Sequence, residues 1–298
     1  MIVYLDQNKW IELAKIIHGK NSSPGAQSFI KEVRAAVQSG LILPLSAIHY
    51  LEFASISNPG RRERLGEVMW DLSQGKTLVS YRDIVRRELE IGLSTVFPKI
   101  KPRQINLIGK GIVHAFGKHF DYLLPEVLDE LFEKAIFTGL PGLGVEPIKH
   151  PQTGQRGVFL SHLNSLHEKS GLLEKGMLDN WLHAMAIIDI KDPLIEILNS
   201  HKISQAEFEN LTADDYKKIL AAMPTRQLDM HLHRQVIKNK MYKAKPSDLE
   251  DWAGVGVASC YCDVVICEKH FADMLRRDKY SPRARIETDL YKMFTLLE

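Results

Sequence analysis

The chain has 298 residues, 45% hydrophobic and 26% charged, and its 39 Lys+Arg against 37 Asp+Glu leave a formal net charge of +2. These ordinary globular values exclude disorder, collagen-like repeats and a coiled coil, and the length allows two domains or one domain with a large insertion. No run of about 18 apolar residues occurs, so no membrane span is expected. The apolar residues 1 to 5 are too few for a secretory leader and no basic residue precedes them, so the expected location is the cytoplasm.

In chain order, Ile2-Val3-Tyr4-Leu5 is a short β-prone run that ends at Asp6. Trp10, Leu13, Ala14 and Ile17 follow at helical spacing. The loop Asn21-Ser22-Ser23-Pro24-Gly25 opens onto a second helix, with Phe29, Ile30, Val33 and Val37 on one stripe and Gly40 as its stop. Residues 41 to 45 predict a buried strand with Pro44 near its end, and Ser46 is placed to cap the helix that carries Ile48, Leu51 and Phe53. This alternation predicts an α/β domain with a parallel sheet.

From about residue 98 to 223 the pattern is helical, with no strand expected; residues 122 to 136 and 178 to 190 are the clearest stretches. A Gly- and Pro-rich loop is expected from 139 to 157. The α/β rhythm returns with a helix capped at Ser247 or Asp248 and running from 249 to 260. A buried strand through Val264-Val265-Ile266 and a helix bearing Phe271, Met274 and Leu275 follow. The expected division is therefore a core of residues 1–97 and 224–298, split by a mostly helical insertion at 98–223.

The cysteines, Cys260, Cys262 and Cys267, are odd in number and lack a zinc-type spacing, so they read as packing thiols. Acids are more informative. In open parallel sheets, ligands collect at the carboxyl ends of strands. Asp6 and Glu268 follow strands, Glu52 rides the helix after the second strand, and Asp248 and Asp251 share one face of a late helix turn. Each has a plainer reading as a cap or a solvated charge. Together they would repel unless a cation sat among them, and an all-oxygen set suits Mg²⁺ or Mn²⁺. Such ions serve phosphodiester hydrolysis. A glycosidase pair would need fewer acids, and no Gly-rich loop followed by Lys-Ser/Thr suggests nucleotide hydrolysis.

Val3-Tyr4-Leu5-Asp6-Gln7-Asn8 resembles the opening of PIN-domain nucleases, and Leu45-Ser46-Ala47-Ile48-His49-Tyr50-Leu51-Glu52 resembles that family's second motif. Ser247-Asp248-Leu249-Glu250-Asp251-Trp252 and Asp263-Val264-Val265-Ile266-Cys267-Glu268-Lys269 are similar to the third and fourth, with Glu268 where the family often has Asp. The resemblance spans roughly residues 1 to 95 and 225 to 298. It implies a PIN-like three-layer fold around a central parallel sheet, and a metal-dependent endoribonuclease that cuts single-stranded RNA to 5′-phosphate and 3′-hydroxyl ends. It also implies Asp6 and Asp251 as principal metal ligands, Glu52 and Asp248 completing the pocket, Glu268 acting through water, and Asn8 and Ser46 orienting Asp6 or the phosphate. A toxin or defence effector could share this core, with an antitoxin or a second copy of the chain as partner. The alternatives are a DNA-directed or structure-specific nuclease, and a nucleic-acid-binding scaffold with a degenerate site.

The basic run Arg226, Arg234, Lys238, Lys240, Lys243 and Lys245, interleaved with His231, His233 and Tyr242, leads into Asp248 and is the expected RNA-binding surface. Its plainer reading is a solvated basic helix. A second basic group lies at Arg276, Arg277, Lys279, Arg283 and Arg285; Arg61 and Arg62 read as a surface turn, and Glu88 and Glu90 as surface acids.

Overall fold

The structure, a computed structural model, describes residues 1–20, 24–117, 130–140, 144, 146–147 and 155–294. Outside them lie Asn21, Ser22 and Ser23 of the first loop, the front of the helix expected from Tyr122, and most of the 139–157 loop.

The chain forms two compact units, the first comprising Met1–Ser80, Asn106–Thr153 and Glu250–Glu298, the second Tyr81–Ile105 and Gly154–Leu249. This departs from the boundaries expected from sequence. Residues 81–97 and 224–249 belong with the helical unit, because their apolar stripes pack there: Val85, Leu89 and Leu93 share a core with Leu182, Ile197, Ile219 and Met230. Conversely, Asn106–Thr153 belongs with the sheet unit, to whose core it contributes Ile112, Ala115 and Phe137.

In the first unit, β1 (Val3–Leu5) pairs in parallel with β4 (Val264–Ile266), which pairs in parallel with β5 (Arg285–Glu287). β2 (Lys76–Leu78) pairs antiparallel with β3 (Ile108–Lys110). Residues 41 to 45 join the two ladders: Ile2 bridges Ile42 and Leu45 bridges Thr77, both in parallel. The expected second strand is present as this row but only as isolated bridges, consistent with Pro44, which has no N–H to donate. The parallel rows therefore run 3-2-1-4-5 in sequence order, counting residues 41 to 45 as the second row.

Four helices frame the front of the sheet: α1 (Gln7–Ile17), α2 (Ala26–Gln38), α3 (Ala47–Ala54) and α4 (Pro59–Ser73). α2 ends at Ser39, and Gly40 follows at φ +101°, the left-handed residue that the sequence places there. Side chains alternate across each strand. Val3, Leu5, Val264 and Ile266 enter a core with Trp10, Leu13, Phe29, Val33 and Met69. Tyr4 turns the other way, towards Gly254 in a π-helical turn at Trp252–Gly256. Both faces of β1 and β4 are buried, as parallel strands require.

The second unit is helical. Its helices include Tyr81–Ser94, Gln155–Gly171, Leu178–Ile188 and Pro224–Lys238. Glu88 and Glu90, expected at the surface, are buried here. Glu88 accepts from the Thr225 amide (3.1 Å) and hydroxyl (2.5 Å), and Glu90 pairs with Arg103 at 2.7 Å. Among the described residues no helix is long and apolar enough to cross a membrane.

Candidate functional site

The order 3-2-1-4-5 reverses direction between β1 and β4. In doubly wound sheets the crevice outside the strand carboxyl ends at such a switch point is where ligands bind. Asp6 leaves β1 there. Its amide still continues the ladder to the Ile266 carbonyl at 2.9 Å, while its carboxylate caps α1 by accepting from the Gln7 amide at 2.7 Å. Glu268 leaves β4 two residues after Ile266 and precedes the helix Lys269–Arg276 as its N-cap residue. The sheet thus brings two carboxylates to the carboxyl ends of adjacent strands.

Asp6 is only 7% exposed, whereas Glu268 is exposed. Burial pushes the Asp6 carboxyl up to about 6, the Gln7 hydrogen bond opposes this, and the nearby Glu268 charge raises it further. Asn8, in the first turn of α1, donates its side-chain amide to Glu268 Oε1 at 2.6 Å. Asn8 therefore positions Glu268.

Two further acids act on the same surroundings. Asp6 and Asp251 both raise the buried Cys267 thiol, which burial above all pushes up to about 12. Asp6 and Glu52 both raise the Tyr4 hydroxyl, again behind burial as the main cause. Asp6 thus shares a neighbour with Asp251 at Cys267 and with Glu52 at Tyr4. All three cysteines are reduced thiols and buried, as packing residues should be.

Ser46 is built into the floor of this region. Its hydroxyl lies 3.0 Å from Tyr4 Oη and 3.3 Å from His49 Nδ1, and its amide donates to His49 Nδ1 at 3.0 Å. Because Nδ1 accepts that N–H, the proton sits on Nε2, which donates to the Leu5 carbonyl at 2.8 Å. Burial pushes the His49 imidazole down to about 4, so it stays neutral. Ser46 caps α3, as the sequence indicates, and its hydroxyl ties Tyr4 to His49. His49 and Tyr4 support the strand end that carries Asp6, and the Ser-x-x-His spacing of a capping box is the signal for the first of them in the sequence.

Asp248 belongs to the second unit. It is buried, and Oδ2 accepts from Tyr242 Oη and the Lys245 amide, each at 2.7 Å. These two bonds close the turn that leads into the late helix.

The expected RNA-binding run divides. Arg226 is 3% exposed and engages Asp229 and the Tyr81 hydroxyl inside the second unit, so it offers nothing to a ligand. Arg234 pairs with Asp179 at 2.7 Å. His231 and His233 are buried. Lys238, Lys240, Lys243 and Lys245 are exposed. Of the Arg61–Arg62 pair, Arg62 is buried against Glu146 and only Arg61 is a surface residue.

The oxygen donors of Asp6 and Glu268, at the ends of adjacent paired strands, are of the kind a hard divalent cation takes. Among the described residues no three acidic, histidine or cysteine side chains are already drawn into one ligand sphere. No family model matches the chain, and neither a curated protein nor a solved structure matches it.

Proposed function

We propose that the chain is a PIN-like nuclease that hydrolyses phosphodiester bonds of single-stranded RNA with Mg²⁺ or Mn²⁺. The observation that carries this reading is the meeting of Asp6 and Glu268 at the switch point of a 3-2-1-4-5 parallel sheet. The central parallel sheet, with both faces of β1 and β4 covered, is in keeping with a PIN-like core. The reading also draws on the four motif resemblances, which supply Asp6, Glu52, Asp251 and Glu268.

Asp6 would be the principal ligand, with Asp251 and Glu52 nearby and Glu268 held in place by Asn8. When bound, the ion supplies polarisation of the phosphodiester and a lower pKa for attacking water. The protein's own part is to keep Asp6 rigid: the Gln7 amide fixes its carboxylate, and the Tyr4–Ser46–His49 network fixes the strand end beneath it. Glu268, exposed and anchored on one oxygen, is suited to take a proton from water.

One observation favours a second reading. Glu268 already spends an oxygen on Asn8, which suits a nucleic-acid-binding scaffold with a degenerate site. Incubating the purified chain with single-stranded RNA and single-stranded DNA in Mn²⁺ separates the readings. Metal-dependent cuts in RNA with 5′-phosphate ends are expected, cuts confined to DNA would favour the DNA-directed alternative, and binding without cuts would favour the scaffold.

A further inference from the structure

A cavity of about 390 Å³ opens at the far end of α1, lined by Ile11, Ala14 and Leu65 below and by Lys15, His18, Lys20, Arg61 and Arg64 around it. Lys15, Lys20, Arg61 and Arg64 are exposed, and among the described residues none pairs with a carboxylate. The nearest acid on α1, Glu12, is taken by Lys9 at 3.0 Å. His18 Nε2 lies 3.3 Å from the Arg64 carbonyl, which ties the end of α1 to α4 and keeps the cations of both helices around one opening. Four cations around an apolar floor in a concave site leave a charge excess that an anion would neutralise.

The cavity lies in line with the acid site. Asn8, Ile11, Lys15 and His18 fall at i, i+3, i+7 and i+10, one stripe along α1. At 1.5 Å per residue, Lys15 and His18 lie about 10 to 15 Å from Asn8, which touches Glu268. We propose that this cavity is a backbone-phosphate subsite for the single-stranded RNA, more than one nucleotide from the bond held at Asp6. Its apolar floor gives a ribose or base face something to cover, and its cations take the phosphate. The subsite deepens the nuclease reading and rests on it for the identity of the polyanion.

The test is binding, read separately from cleavage. Fluorescence anisotropy of a labelled single-stranded RNA of about ten nucleotides, within the usual single-strand site sizes, is measured in EDTA. The full chain is compared with Arg61→Glu/Arg64→Glu and with Lys15→Glu on the other helix, each checked for an unchanged thermal melt. Loss of two phosphate contacts should weaken binding about tenfold or more and lower the salt slope by about 1.4. Equal RNA affinity and equal salt slopes in all three would overturn the subsite and leave the nuclease reading to its own cleavage test. Weakened binding in the variants, with a wild-type chain that cuts nothing, would uphold the subsite and overturn the nuclease.

Discussion

Asp6 is held at a cost to the fold. Burial and Glu268 raise its pKa from 3.8 to about 6, a displacement on the order of 3 kcal/mol between its two protonation states. The folded protein binds that proton more tightly than the unfolded chain, so this contribution is fully present below pH 4 and is lost as pH rises through about 6. His49 works in the opposite sense. Its pKa falls from 6.5 to about 4, so its contribution is present above about pH 6.5 and is lost as pH falls through about 4. The two partly cancel between pH 4 and 6, and single substitutions should expose them. In EDTA at pH 7, Asp6→Asn should be more stable than wild type by up to about 3 kcal/mol, with the gap closing towards pH 4. Urea unfolding at stepped pH measures this, and an Asp6→Asn protein less stable at pH 7 would contradict the assigned burial cost.

The longer elements were legible in the sequence because their periodicity is strong. The α2 stripe Phe29, Ile30, Val33 and Val37 is buried as expected, and β1 and β4 are the buried runs that the sequence indicates. All five strands are three residues long, but β2, β3 and β5 lack the unbroken apolar run that marks β1 and β4. Ile108-Gly109-Lys110 carries a glycine, and Arg285-Ile286-Glu287 has the charged flanks of an edge strand. Of the site, the acids at strand ends were legible, since strand termini follow from apolar runs. The committed roles of Asp248 and Arg226 were not, since their partners Tyr242, Asp229 and Tyr81 meet them only in the folded unit. The late helix shows the same limit: the pattern from 249 to 260 holds, yet it is interrupted by the π turn Trp252–Gly256 immediately after Asp251. At Gly254 an added Cβ would come within 2.8 Å of Tyr4 Oη, so this turn can approach β1 only with glycine there. Gly254→Ala should destabilise the protein by about 1 to 3 kcal/mol in denaturant unfolding. It should also reduce cleavage beyond what lost stability explains, because it displaces Tyr4 from Ser46.

At the scale of the whole molecule, the near-neutral charge of +2 averages over an acidic crevice and exposed lysines and arginines that sit apart in sequence. A cation bound only by the folded protein stabilises it by mass action, about 2.7 kcal/mol at a hundred times its Kd. Mn²⁺ should therefore raise the melting temperature of wild type, and Asp6→Asn and Asp251→Asn should blunt that rise; equal rises in all three would place the ion elsewhere. The most direct test of the account is cleavage itself: single-stranded RNA incubated with Mn²⁺ and either wild type or a correctly folded Asp6→Asn protein. The account predicts cutting by wild type that EDTA abolishes, and a loss of about a hundredfold or more in Asp6→Asn, since removing a ligand should cost at least as much as removing its support. Undiminished cutting by Asp6→Asn would contradict it.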